Sequence, residues 1–233
     1  LARLKQQHEA WTEFTQAAWQ RAGIGPGTKV LDLGCGPGFA SLELADLVTS
    51  SGQVLAVDES EKFVEYLNQK SKDKNITLLR AIKADAMDFG KSLSSEKFDV
   101  VYCRWVLCWL KDPQQAIASV KKILKPGGRF LIHDYFNWRA MSQAPRSIAV
   151  ERMVLAAVKS FSDRDGNVDV AAELPRLLRA AGFQLPSFTC HQRIAYGGTK
   201  DPALFWVLNW WRTYGPKLVT NGYLEAATYD QAK

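Results

Sequence analysis

VLDLGCGPG, residues Val30 to Gly38, sets an acid inside an apolar run and then three glycines within five positions. Such a run predicts a buried strand that ends in a sharp turn. Gly34, Gly36 and Gly38 allow the chain to swing from strand to helix, and they leave main chain bare where a ligand can touch it. The spacing is not the Gly-x-Gly-x-x-Gly of dinucleotide sites, because Gly-Cys-Gly-Pro-Gly is followed by Phe39, Ala40 and Ser41.

Outward from this point, strands and helices alternate. Before it, Trp11, Phe14 and Ala18 share one side of a helix predicted over His8–Arg21, which Gly23 ends. Strands are predicted at Lys29–Leu33, Gln53–Val57, Thr77–Ala84, Phe98–Tyr102 and Arg129–His133, with helices at Phe39–Val48, Glu61–Ser71 and Pro113–Leu124. Parallel neighbours need crossover connections, so the pattern implies an α/β, doubly wound, mostly parallel Rossmann-like sheet with helices on both faces. Ligands of such sheets sit beyond the carboxyl ends of the strands, where Gly34, Asp58, Asp85, Cys103 and Asp134 fall. A helix at Ala140–Ser160 interrupts the alternation, and a helix at Ala172–Ala181 and a sixth strand at Ser187–Ile194 follow it. No seventh strand is legible after Ile194.

Composition narrows the function classes. The 233 residues suffice for one sizeable core, and 47% hydrophobic with 23% charged residues is ordinary for a globular chain. No apolar stretch reaches membrane-helix length, and the opening LARLKQQHEAW lacks the apolar core of a secretion signal, so a soluble, cytoplasmic protein without membrane insertion is expected. Cys35, Cys103, Cys108 and Cys190 form no CxxC pair and have no His at zinc spacing, so neither a disulfide framework nor a metal is expected. The net charge of +6 comes from scattered lysines and arginines, whose densest group is Lys121, Lys122 and Lys125 on a helical face. That is weak support for an RNA partner and almost none for DNA.

In order, VLDLGCGPG, VLAVDES, KADAMDF, FDVVYCRWVL and LKPGGRFLIHDY resemble the successive motifs of the class I S-adenosylmethionine-dependent methyltransferases, most of all the branch acting on small molecules. The match runs from about Val30 to Tyr135. S-adenosylmethionine presents a cationic methionine end, a ribose diol and an adenine, so its site calls for acids and carbonyls and not for a phosphate cradle. The resemblance implies cofactor contacts from Asp32, Gly34, Cys35, Gly36, Asp58, Glu59, Asp85, Ala86, Cys103 and Arg104. Gly34 and Gly36 would serve through main chain, Asp58 through the ribose hydroxyls, Asp85 and Ala86 at the adenine, and Asp32 and the Cys103 carbonyl at the methionine amino group. Asp58 also reads as a cap for the following helix, with Glu61 three residues on; Asp32 also reads as half of a salt bridge.

Methyl transfer from a sulfonium is an in-line displacement, and a general base is needed only for a protonated acceptor. His133 and Tyr135 are the candidate catalytic residues, His133 also reading as a core residue. Trp11, Trp105, Asp134 and Tyr135 are candidates for the acceptor pocket, Trp105 also reading as the packed side of a short helix. Residues 1–28 are read as a helical lid and 29–233 as the methyltransferase domain, with 136–171 inserted as an acceptor cover and 201–233 as an aromatic carboxyl segment. In that segment Phe205, Trp206, Leu208 and Trp211 fit core, an oligomer contact or a lipophilic wall. No Asn/Asp-Pro-Pro-Tyr, which DNA and protein amide methyltransferases carry there, follows the fourth strand, which puts base and glutamine methylation well below O-, N- or C-methylation of a small, partly apolar acceptor. The alternatives are a nicotinamide-dependent oxidoreductase and an RNA-associated or cofactor-binding protein. Monomer and homodimer are both compatible with the sequence.

Overall fold

A computed structural model describes residues 1–93, 95–198 and 200–233. The chain begins with α1 (Ala2–Arg21) and continues β1 (Lys29–Leu33), α2 (Phe39–Val48), β2 (Gln53–Asp58), α3 (Glu61–Asp73) and β3 (Leu79–Lys83). It then runs through the short α4 (Phe89–Ser92), β4 (Phe98–Arg104), α5 (Pro113–Ile123) and β5 (Leu124–His133). The remaining elements are α6 (Ile148–Ser162), α7 (Val170–Ala180), α8 (Pro202–Thr220) and α9 (Ala226–Ala232), with single 3-10 turns at Leu107–Trp109 and Trp138–Ala140.

The five strands form one parallel sheet in the order β3-β2-β1-β4-β5, as the alternation requires. The chain builds outward from β1 to β3 and then returns to place β4 on the other side of β1. This reversal opens a crevice at the carboxyl ends of β1 and β4, where Leu33 lies opposite Cys103. β1, β2 and β4 are almost continuously buried, as strands covered on both faces must be. On one face Leu31, Leu33, Val101 and Phe98 pack with Ile117, Val120, Leu174 and Leu177 of α5 and α7. On the other, Val30, Val54 and Tyr102 pack with Leu44, Leu67 and Trp19. A third core, formed by Trp138, Met153, Phe161, Trp211 and Leu218, joins α6, α8 and α9.

Three expectations are corrected. The sixth strand at Ser187–Ile194 does not form: 183–196 carries no regular structure, and β5 has no further strand beside it among the described residues. The side chains of this segment find aromatic partners elsewhere. His191 packs on Phe14 of α1 at 4.7 Å, Arg193 lies over the same ring, and Phe188 meets Phe136. The helix expected from Ala140 begins only at Ile148, where the Ser147 hydroxyl caps it by accepting from the Val150 N–H at 3.4 Å; Pro145 disfavours helix in the residue before it. α1 starts six residues earlier than the periodicity suggested, and the added turns carry Gln6 and Gln7 to the site.

Candidate active site

The loop after β1 is held by its neighbour β2. Gly34 and Cys35 donate their N–H groups to the Val57 carbonyl at 2.7 and 2.9 Å. Gly36 donates to Asp58 Oδ2 at 2.7 Å, while Asp58 Oδ1 accepts from the Ser60 N–H at 2.9 Å. Ser60, not Asp58, occupies the N-cap position of α3. Asp58 thus locks the glycine loop to the start of α3, and a carboxylate has lone pairs enough to accept two further hydroxyls.

The three glycines have left-handed φ angles of 70°, 54° and 80°, but their surroundings differ. A Cβ on Gly34 would lie 2.2 Å from Val106 Cγ2, and one on Gly38 would lie 2.3 Å from Leu67 Cδ1. At Gly36 a Cβ would meet nothing within 4 Å. Two glycines serve packing, and the third faces open space beside Asp58. This arrangement fits the methionine and ribose portions of S-adenosylmethionine, which need bare main chain and a carboxylate.

Asp32, only 2% exposed, accepts from Ser41 Oγ at 2.5 Å. No salt bridge to it is found among the described residues. Burial raises its pKa to about 6, against the lowering influence of Ser41 and of the nearby Arg104. Because the fold holds this proton more tightly than the unfolded chain, Asp32 costs nothing below about pH 4, and the cost grows as pH rises towards 6. Above that range it amounts to about 3 kcal/mol. Asp32→Asn is therefore expected to gain stability relative to the parent as pH rises from 4 to 6, with a constant difference above pH 7, read from urea unfolding midpoints. A difference independent of pH would show that Asp32 ionises normally.

At the end of β4, Arg104 ties the amino-terminal helix to the sheet. Its guanidinium donates to His8 Nδ1 at 2.8 Å and to Thr15 Oγ1 at 3.2 Å, and it lies 4.8 Å from the centre of the Trp105 ring. With Nδ1 accepting, His8 Nε2 is the protonated nitrogen and donates to Glu43 Oε1 at 2.8 Å. Glu43 is held below the usual carboxylate range, chiefly by that hydrogen bond. The expected role of Arg104 at the cofactor is thus joined by a link from β4 through α1 to α2.

Trp105, with a φ of 54°, is the centre of an aromatic cluster. Tyr135 and Trp206 stack on it at 5.9 and 6.3 Å, His133 is 5.4 Å away, and Trp11 approaches edge to face at 6.1 Å. The structure therefore brings together Trp11, Trp105, His133 and Tyr135. Asp134 points elsewhere: its carboxylate accepts from the Tyr135 and Cys108 N–H groups at 2.8 and 3.3 Å, and burial raises its pKa to about 6. Burial, with Arg104 and His191 nearby, lowers the His133 pKa to about 3, and burial pushes the Tyr135 hydroxyl well above its ordinary value. Burial likewise pushes the Cys35 and Cys103 thiols up, so neither is a thiolate at neutral pH.

On the other side of the crevice, Asp85 is exposed and its Oδ1 accepts from the Met87 N–H at 2.7 Å. Ala86 packs at the edge of the core, and Glu59 is exposed. Ser41, Glu43, Thr15 and Gln7 carry no signal in the sequence. They lie on α1 and α2, where nothing but the fold reveals which turn faces the crevice. The run FWVLNWW, by contrast, signals Trp206.

A model of the methyltransferase-domain family matches residues 24–182. An uncharacterized 37.1 kDa protein in a transposon of Streptomyces fradiae is 31% identical over 163 residues, which cover 70% of this chain and 45% of that protein. The ubiquinone/menaquinone biosynthesis C-methyltransferase UbiE of Shewanella piezotolerans is 33% identical over 132 residues, 55% of this chain and 49% of its own. The chain thus spans about half the length of these curated relatives. In fold, it resembles a SAM-dependent methyltransferase from Aquifex aeolicus with a TM-score of 0.56 at 20% identity, covering 72% of this chain and 79% of that one. No helix is long and apolar enough to cross a membrane among the described residues. With the glycine loop, the carboxylates at the ends of β1 and β2 and the family match over most of its length, this chain belongs to the class I S-adenosylmethionine-dependent methyltransferases.

Proposed function

We propose that the protein methylates a small, partly apolar acceptor that binds against the aromatic cluster at the ends of β4 and β5. The observation that carries this reading is the juxtaposition of two unlike surfaces at the carboxyl end of the sheet: the polar group of Gly36, Asp32 and Asp58 from β1, its loop and β2, and the cluster of Trp11 on α1 with Trp105 and Tyr135 after β4 and β5. Carbon is the favoured target atom, since UbiE relatives are named as C-methyltransferases. S-adenosylmethionine supplies a methyl group already activated on a sulfonium. The chain's own work is then alignment and exclusion of water.

In this reading Gly34, Cys35 and Gly36 hold the donor through main chain, Asp58 accepts the ribose hydroxyls, and Asp32 with the Cys103 carbonyl takes the ammonium. Glu59, Asp85 and Ala86 border the adenine, and Arg104 fixes the lid formed by residues 1–28. The segment 136–171 covers the acceptor. His133 stays neutral down to about pH 3, so its imidazole is a weak base and its part is to position the acceptor. Tyr135 keeps its proton and orients the acceptor as a donor. A His133→Gln variant is accordingly expected to alter KM more than kcat and to leave the kcat–pH profile unchanged between pH 5 and 8.

The test of the reading as a whole is calorimetry of ligand-free protein with S-adenosylhomocysteine and, separately, NADH, followed by a screen of acceptors with labelled S-adenosylmethionine. Binding of S-adenosylhomocysteine alone is expected. Binding of NADH alone would overturn the assignment of the acids.

A further inference from the structure

The end of α6 and the last turns of α8 enclose a cavity of about 200 Å³ that shares no lining residue with the crevice. Arg164, Lys217 and Asn221 line it, with the hydroxyls of Ser160, Tyr214 and Tyr223, and no acid is among its lining residues. Arg164 is held in one orientation. Its Nε donates to the Ser160 carbonyl at 2.8 Å, an Nη2 hydrogen goes to the Tyr214 hydroxyl, and its guanidinium lies 5.5 and 5.8 Å from the centres of the Phe161 and Tyr214 rings. Tyr214 can only accept from it: Ser160 Oγ donates to the Ala157 carbonyl at 2.8 Å, so the Tyr214 proton is committed to Ser160 at 2.6 Å.

Both acceptors of Arg164 are neutral, and the acids nearby are taken. Asp163 accepts from Lys159 at 3.1 and 2.9 Å and from the Tyr223 hydroxyl, and Asp165 pairs with Lys111 at 3.3 Å. No acid occurs between residues 202 and 224. A cation near a helix carboxyl end ordinarily answers free carbonyls, but here main-chain N–H groups already fill those positions. The Lys159 carbonyl accepts from Asp163 and the Phe161 carbonyl from Arg164 and Gly166, while Lys217, Leu218 and Val219 accept from Asn221, Tyr223 and Gly222. The remaining N–H groups of Arg164, the Lys217 ammonium and the Asn221 amide therefore surround the cavity with no acceptor among the described residues. Two full positive charges outweigh the partial negative charges of two helix ends.

We propose that this cavity binds a phosphate group, as the free ion or as a monoester, with two of its oxygens on the Arg164 fork and the others on Lys217 and Asn221. A guanidinium fixed in its plane matches a pair of oxygens side by side. Donors converging from the end of α6 and the end of α8 suit a tetrahedral group better than a flat carboxylate, and two cations match a dianion. The bound group would tie the end of the 136–171 segment to α8, and a ligand of the folded state alone raises its stability.

The probes are inorganic phosphate and glycerol 3-phosphate, each titrated into the full chain in place of chloride at constant ionic strength. The Arg164 Nε–H and Asn221 side-chain amide signals of the nitrogen-15 spectrum are expected to shift and saturate, and the melting temperature to rise with phosphate. Lys217 is exposed, so Lys217→Met should keep the fold and weaken phosphate about ten-fold, the effect of losing one hydrogen bond to a charged group. Arg164→Lys retains the charge but not the fork and should lose a similar factor. Lys62→Met removes the same charge from an exposed position on α3 and should leave affinity within about two-fold, as screening between distant surface charges requires. Tighter binding of glycerol 3-phosphate assigns the site to a monoester and tighter binding of phosphate to the free ion, and either upholds it. Shifts that do not saturate, or equal weakening by Lys217→Met and Lys62→Met, would overturn the proposal.

Discussion

Asp58→Ala should reduce affinity for S-adenosylhomocysteine by about a hundred-fold or more while leaving the protein folded. Two hydroxyls bonded to one carboxylate contribute about 1.5–3 kcal/mol each, so their joint loss is of that order. The same substitution frees the Gly36 and Ser60 N–H groups, now bonded to Asp58 at 2.7 and 2.9 Å. Both groups lie at the half-exposed mouth of the crevice, where water can replace the acid at modest cost. Calorimetry reads the affinity and thermal unfolding reads the fold. Asp58→Asn separates charge from geometry, because it keeps an acceptor for one N–H and should recover part of the affinity. Unchanged binding in the alanine variant would refute the ribose assignment.

Substitution of the loop glycines by alanine is expected to divide them by role. Gly38→Ala puts a Cβ within 2.3–2.8 Å of three atoms of Leu67, which is fully buried and has nowhere to move, at a φ of 80°. Overpacking of about 1–3 kcal/mol adds to about 1–2 kcal/mol for a left-handed non-glycine residue. The melting temperature should fall by roughly 5–15 °C for a chain of this size. Gly36→Ala meets no atom within 4 Å and carries only the backbone cost, so its fold should survive nearly intact. Its new methyl group instead occupies the space beside Asp58, and S-adenosylhomocysteine affinity should drop at least ten-fold. Equal effects of the two substitutions on stability would show that Gly36 is a structural turn like its neighbours.

The difference between these glycines marks the boundary of what the chain's own pattern reveals. VLDLGCGPG announces a strand, a turn and three positions without side chains; it does not say that Gly34 clears Val106, which is 72 residues later in the sequence, or that Gly38 clears Leu67. The carboxylates show the same division. Asp32, Asp58 and Asp85 stand out by their places in, at the end of and just after successive strands, but Asp32 is joined to Ser41, Asp58 to Gly36, and Asp85 to its own turn.

The local pattern by itself determined the parallel α/β architecture, since five apolar strands separated by helices can close only through crossovers, and it singled out the candidate donor residues, which lie in or just after those strands. The tertiary structure alone decided the rest. Ser187–Ile194 has a strand's alternation, yet it forms no ladder because Phe14 and Phe136 draw its side chains away. Arg104, His8 and Glu43 become one chain of hydrogen bonds, and Trp11, Trp105 and Trp206 one cluster. Contacts between residues nearly 100 or 200 positions apart depend on how helices are laid over the sheet. Backbone periodicity encodes which face of a helix is apolar; it does not encode which other apolar face it will meet.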